Sequence, residues 1–436
     1  MLSFLFLSPL LFGVTAYSGD ENDYYENHYG SDENGIRYSP SMQAFYDEHG
    51  HDAHLKYLTP NSFDLDVYRL TKRDGNSTDD KNSSNVFDYS ENIVHGVNIG
   101  GWLVTEPYIT PSIYWAAAET EGDQSTVPLD EYHYCEELGT EECQSRLQEH
   151  WDGWIQEKDF KQIKDWGFNA IRLPIGYWAF ARLPDDPYAS GQEEYLKNAI
   201  EWARNNGLYL WIDLHGAPGS QNGFDNSGLR DSLNWFNVTE NYDLTLKVTY
   251  YLYNTYGGEE YNDVVIGIQN LNEPLGPKLK MSEVVRFNYN TYSQLRSTGS
   301  ENNFVFHDAF QSMGYWDDYL TGSVDPKSTN YTHHNSSTPD YINATSFTDD
   351  DGDYYNTILD HHHYEVFGTG VLKLNITGHL LNVKSFAEGM KDEKHPALCG
   401  EWSAALTDCA WWLNGVNRGS RYAGNYSNPD GAIGKY

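Results

Sequence analysis

Residues 264–274 read VVIGIQNLNEP, a run of apolar residues from Val264 to Ile268 that passes into Asn272-Glu273-Pro274. A short continuous apolar run is the pattern of a strand buried on both faces, and such strands belong to parallel sheets covered by helices. The flanks agree. Glu240–Tyr256 before it and Ser282–Thr298 after it carry helical periodicity, and each is followed by a glycine, Gly257 and Gly299, as helix C-termini favour. Gly167 and Gly207 close two further helical stretches in the same way.

The alternation repeats along the chain. Strands are predicted at Ile93–Asn98, Phe168–Leu173, Leu208–Leu214, Val264–Leu271, Asn303–Asp308, Ile358–His363 and Ala397–Trp402. Helices are predicted over Gln144–Trp166, Glu193–Asn206 and His379–Lys391 as well. Repeated βα units make either an open doubly wound sheet or a barrel. No Gly-rich phosphate loop comes after the first strand, which argues against a nucleotide-binding sheet. An α/β barrel over residues 92–436 is the reading taken forward, and a closed TIM barrel, (β/α)8, needs eight such units. The residues after Trp402 read as loop, so the barrel is expected to be truncated before its eighth βα unit. Thr321–Tyr355, rich in Asp, Asn, Ser and Thr, is expected to be a glycosylated surface insertion.

The N-terminal part differs. MLSFLFLSPLLFGVTA (1–16) is apolar and ends in small residues, which predicts a signal peptide cut after Ala16. Residues 17–73 are polar, acidic and rich in Tyr, and end in Lys72-Arg73. They read equally as a pro-segment cleaved at that dibasic pair or as a disordered tail. Glycosylation sequons start at Asn76, Asn82, Asn237, Asn330, Asn335, Asn343, Asn375 and Asn425, which fits a secreted protein, extracellular or in a cell wall. No later stretch approaches the roughly 18 apolar residues of a membrane span. The formal net charge of -36 repels nucleic acid and anionic membranes, so neither is an expected partner, and a monomer is expected. The 35 Tyr and 13 Trp can stack on sugar rings or simply fill a core. Cys135, Cys143, Cys399 and Cys409 show no zinc spacing and allow three disulfide pairings.

In an α/β barrel the functional groups sit where strands end. Those positions carry Arg172, Asp213 and His215, Asn272-Glu273, His361 to Tyr364, and Glu401. Two carboxylates facing one mouth suit cleavage of a glycosidic bond: one protonates the leaving oxygen, the other meets the cation-like anomeric carbon. Their environments must hold one protonated and one ionised, and Arg172 is suited to keep Glu401 ionised. Strand alternation sends His362 and Tyr364 to one face and His361 and His363 to the other. One inward His suits a sugar hydroxyl better than a metal, so neither metal nor cofactor is expected.

Six longer motifs carry a resemblance. HGVNIGGWLVTEPYITPS (95–112), GFNAIRLPIGYWAF (167–180), DLHGAPGSQNGFDNSGLRD (213–231), NLNEPLG (270–276), DHHHYEVF (360–367) and GEWSAALTDC (400–409) resemble the fungal exo-1,3-β-glucanases of glycoside hydrolase family 5, from about Val94 to Tyr422. The resemblance implies a (β/α)8 fold, hydrolysis of β-1,3-glucan and its oligosaccharides from the non-reducing end with retention, transglucosylation, and no metal. It implies Glu273 as acid/base and Glu401 as nucleophile. Arg172, His215, Asn272, His362 and Tyr364 would surround the first sugar, Glu106 and Asn226 would bind glucose hydroxyls, and Phe224 and Phe367 would grip the next sugar. The family's sugar-stacking tryptophan after the eighth strand falls beyond this sequence, which sets against enzyme activity two other readings: a wall-associated glucan-binding protein without turnover, and an inactive, aggregation-prone fragment with open sheet edges. The presence of both carboxylates favours the enzyme.

Overall fold

The computed structural model describes residues 31–57, 86–320 and 354–434, apart from positions 33, 90, 430 and 431. The signal-like segment, the Lys72-Arg73 pair and residues 321–353 of the insertion lie outside them.

A two-residue strand, β1 (Arg37–Tyr38), and a helix, α1 (Pro40–His49), come first. The sheet that organises the molecule then takes β2 (Gly96–Asn98), β3 (Ala170–Gly176), β5 (Tyr209–Gly216), β6 (Val265–Gln269), β7 (Phe304–His307), β8 (Thr357–His363) and β9 (Ala397–Trp402). Each pairs in parallel with the next in that order. β4 (Ala181–Arg182) stands apart and pairs antiparallel with β1. Among the described residues the sheet has seven strands and curves into a nearly closed barrel. Where β2 and β9 face each other, the Asn98 side-chain amide donates to the Gly400 carbonyl at 2.8 Å.

The intervening helices cover the outside. The stretch expected as one helix over 144–166 is two, α4 (Thr140–Trp154) and α5 (Glu157–Asp165). The chain turns extended at Ile155 and Gln156, where the Gln156 and Asp159 side chains form a capping box that starts a new helix. Two short helices before them, α2 (Pro111–Ala117) and α3 (Glu131–Leu138), lie outside the predicted helices; a Cys135–Cys143 disulfide staples α3 to α4. Cys399 and Cys409 are unpaired. The remaining predicted helices are α6 (Gln192–Asn205), α7 (Thr239–Tyr256), α8 (Met281–Ser297) and α9 (Ile376–Asp392). No helix among the described residues is long and apolar enough to cross a membrane.

Part of the stretch that reads equally as a pro-segment or a disordered tail is described, residues 31–57. Residues 31–57 are docked on the outer helices, with Tyr38, Met42 and Tyr46 fully buried. Tyr38 and Tyr46 act as anchors. Tyr46 donates to the Lys247 carbonyl of α7 at 2.8 Å, Ser39 to Glu193 of α6 at 2.6 Å, and His54 meets Asp243 at 2.9 Å. Further on, Phe87 and Tyr89 plug the lower end of the barrel, packed with Ala170, Trp211, Ile266, Val305 and Ile358. The upper end is left to polar side chains.

Candidate active site

Arg172, on the central part of β3, is the hub of the upper layer. It is 4 % exposed and stacks over the Trp211 ring at 5.3 Å. Its guanidinium donates to Glu401 Oε1 at 2.8 Å, to Asn272 Oδ1 at 2.8 Å, to Asn98 Oδ1 at 3.1 Å and to Gln269 Oε1 at 3.2 Å, and lies 3.0 Å from Asp213 Oδ2. A planar fork with five donors can hold several strands at once, which lysine cannot. Asp213 in turn holds His215 through Nδ1 at 2.6 Å.

Glu273 ends the β6 unit with φ 46, a left-handed conformation that side chains avoid and that marks stored strain. Its carboxylate accepts from His362 Nδ1 at 2.7 Å and from Asn226 Nδ2 at 2.8 Å. Glu401, on β9, accepts from the Tyr364 hydroxyl at 2.9 Å as well as from Arg172. His362 therefore stands between the two acids, 3.5 Å from Glu401 Oε2. Its other nitrogen meets Asp360 Oδ2 at 3.1 Å. Asp360 is itself held by Gln269 and by the Gly400 N–H, and a Cβ on Gly400 would come within 2.3 Å of Asp360 Oδ1. The β8 alternation puts His361 on the outside with Asp308 and Glu393, and His363 with Glu365.

Burial opposes ionisation of both acids, yet the surroundings win. The His362 hydrogen bond and charge, with the Asn226 hydrogen bond, hold Glu273 well below the usual carboxylate range. The charges of His362 and Arg172 hold Glu401 below it too, against the repulsion of Glu273. Burial disfavours charge on His362, but Glu401, Asp360 and the two hydrogen bonds raise it far above an ordinary imidazole. These directions favour two ionised acids with a charged imidazole between them.

One pocket collects Glu106, Arg172, His215, Phe224, Asn226, Glu273, Tyr364, Phe367 and Glu401. Asn272 and His362 lie behind this lining, bonded to Arg172 and Glu273. Phe224 is buried beside Phe310, and Phe367 packs edge-on against Tyr364. Sequence reasoning passed over Asn98 and Tyr108, which also line the pocket, and Asp360, Gln269 and His307 beneath it. All but Tyr108 lie on predicted strands, so alternation within each strand was the signal available for them. Asp360 shares a face with His362 and Tyr364. Glu273, His307 and His362 each bring a ligand-type atom within 4.8 Å of the others. His362 uses both nitrogens as donors in its hydrogen bonds, which suits a proton better than a metal ion.

A parallel βα barrel with two carboxylates gathered at its mouth defines a class, the barrel glycoside hydrolases. The chain belongs to glycosyl hydrolase family 5, whose cellulase family model matches residues 135–421. It is 48% identical over 346 residues to a glucan 1,3-beta-glucosidase of Candida oleophila, covering 78% of this chain and 74% of that protein. It is 44% identical over 358 residues to glucan 1,3-beta-glucosidase I/II of Saccharomyces cerevisiae, covering 80% of this chain and 73% of that one. Among solved structures, a rutinosidase from Aspergillus niger superposes with a TM-score of 0.55 at 19% identity, over 73% of this chain and 81% of that chain, which supports the fold.

Proposed function

We propose that this protein removes glucose from the non-reducing end of β-1,3-glucan by double displacement, with Glu401 as nucleophile and Glu273 as acid/base. The observation that carries the mechanism is the position of His362, 2.7 Å from one carboxylate and 3.5 Å from the other. One imidazole nitrogen near both acids keeps those two oxygens within roughly 6 Å, which favours the short carboxyl spacing of a retaining site over the ~6.5–9.5 Å of an inverting one. The substrate reading draws on the names of the relatives.

Glu401, ionised beside Arg172 and oriented by Tyr364, attacks the anomeric carbon. The proton shared by Glu273 and His362 leaves with the aglycone oxygen. Glu273, now a base, takes a proton from the incoming water, and the glucosyl ester to Glu401 breaks. A second sugar hydroxyl in place of water gives transglucosylation. Glu106, His215 and Asn226 supply the polar contacts to the first sugar, with Asn272 holding Arg172 behind them, and Phe224 and Phe367 the apolar flanks for the next. The protein acts outside the cell, delivered by residues 1–16.

A β-1,3-linked glucose trimer followed by NMR tests this. β-Glucose and the dimer are the expected first products. Early α-glucose would remove Glu401 from its role, and early internal products from longer chains would overturn the exo reading.

A further inference from the structure

His307 ends β7 directly beneath the acid/base and has no part in the mechanism above. It is 2 % exposed, and its ring meets that of His362 edge-on at 4.4 Å. The chain turns back after it through Ala309 and Phe310, both at positive φ, 53 and 57, which L-residues adopt only under constraint. That turn aims the Ala309 N–H at His307 Nδ1, 3.0 Å away. A nitrogen that accepts this bond bears no proton, so the ring is neutral and carries its hydrogen on Nε2. Burial lowers its basicity in the same sense.

The charged groups around it are otherwise occupied. Asp308 Oδ1, 3.4 Å from Nδ1, takes the Phe310 N–H, and its Oδ2 takes His361. Asp360 is held by Gln269, Gly400 and His362. His307 Nε2, by contrast, has no hydrogen-bond partner among the described residues. A buried donor left unpaired is costly, and it is kept here beside a pair of groups whose proton comes and goes. The same tautomer leaves no lone pair on Nε2 for a metal ion.

We propose that His307 is a positioning residue for the acid/base: its Nε2–H is the donor that meets the Glu273–His362 pair once their shared proton has left with the aglycone. The bond forms as the pair becomes net negative and is released when a proton from water restores it. This rests on the reading of Glu273 as acid/base.

Because the donor favours the deprotonated pair, it lowers the pH at which the pair loses its proton. Removing it in His307→Phe is expected to raise the basic limb of the kcat/KM profile, measured with the β-1,3-linked trimer, by about one pH unit. Two smaller variants separate the ring's two nitrogens. His307→Gln can restore a donor near Nε2 and is expected to bring the limb back. His307→Asn can only accept from Ala309 and is expected to behave as the Phe variant. Rescue by Asn but not Gln, or folded variants that all keep the wild-type limb, would overturn the proposal and leave His307 a structural residue. Glu273→Gln provides the control. If the basic limb survives in it, the assignment of Glu273 fails; if the limb vanishes there but ignores His307, only the role of His307 fails.

Discussion

Replacing Arg172 with leucine removes the guanidinium bonded to Glu401, and with it the tie between four strands. The sign comes from the charges. In the wild type the Glu401 carboxyl lies below its ordinary range, so its ionisation stabilises the fold above the unfolded-state pKa, and this is lost as the pH falls through the lower folded value. Without the guanidinium, burial and the neighbouring Glu273 act unopposed by it, and the Glu401 pKa rises. An arginine beside a buried carboxylate is worth about 1–3 pKa units, or ~1.4–4 kcal/mol. Breaking one partner of a buried pair costs about 3–5 kcal/mol, consistent in size. Two readouts are expected together. The acid limb of kcat/KM moves up by one to three units, and the melting temperature at neutral pH drops by several degrees, less so at low pH where Glu401 is protonated in both states. Arg172→Lys keeps the charge without the fork and is expected to fall between. An Arg172→Leu protein that folds, retains activity and keeps the wild-type acid limb would refute the electrostatic account of Glu401.

The same geometry has other consequences. Glu401→Gly is expected to lose turnover by 10³-fold or more, and azide should restore reaction of an activated β-glucoside as the α-glucosyl product; a β-linked azide product would show the nucleophile lies elsewhere. Tyr46→Ala removes a fully buried ring from the docked N-terminal segment, at ~3–5 kcal/mol. Calorimetry should show the loss with kcat/KM unchanged, since the pocket includes no residue of 31–57; raised activity would instead make the segment inhibitory. Gly400→Ala drives a methyl group into Asp360 and is expected to cost ~1–3 kcal/mol and to disturb His362 through Asp360; wild-type stability and activity would show that β9 yields more easily than the packing implies.

The strands were legible because parallel strands buried on both faces read as apolar runs, and Ala397–Trp402 is recovered to the residue. Strand ends were legible because the chemistry changes abruptly there, from Ile268 to Glu273 or from Leu359 to His362. The N-terminal segment was not. Tyr38 and Tyr46 bury their rings while spending their hydroxyls on Asp32 and the Lys247 carbonyl, and no short-range period distinguishes such an anchor from a solvated tyrosine. His307 was missed for another reason: its tautomer is set by Ala309, close by but through a positive-φ turn that the residue types do not signal, and the ring it meets lies on the neighbouring strand, far along the chain.

The electrostatics of the centre pose a problem that the assignment of two carboxylates does not by itself solve. A general acid must hold a proton at working pH, yet the bonds of Glu273 to His362 and Asn226 favour its ionised form. The contacts become intelligible when the acid is taken to be the Glu273–His362 pair. On that reading His362, with Asp360 on its far nitrogen, keeps the proton before the sugar binds, 2.7 Å from the carboxylate proposed to deliver it. A sugar entering the pocket displaces water and competes with Asn226 for Glu273 Oε2, which weakens one of the bonds that favour the carboxylate and moves the proton toward it. Glu401 has no such competitor, since Arg172 and Tyr364 hold its two oxygens separately. The two acids thus begin alike and are driven apart by the substrate. Asn226→Ala is accordingly expected to raise the basic limb of kcat/KM while leaving the acid limb in place, and a shift of both limbs together would show that the two carboxylates titrate as one unit.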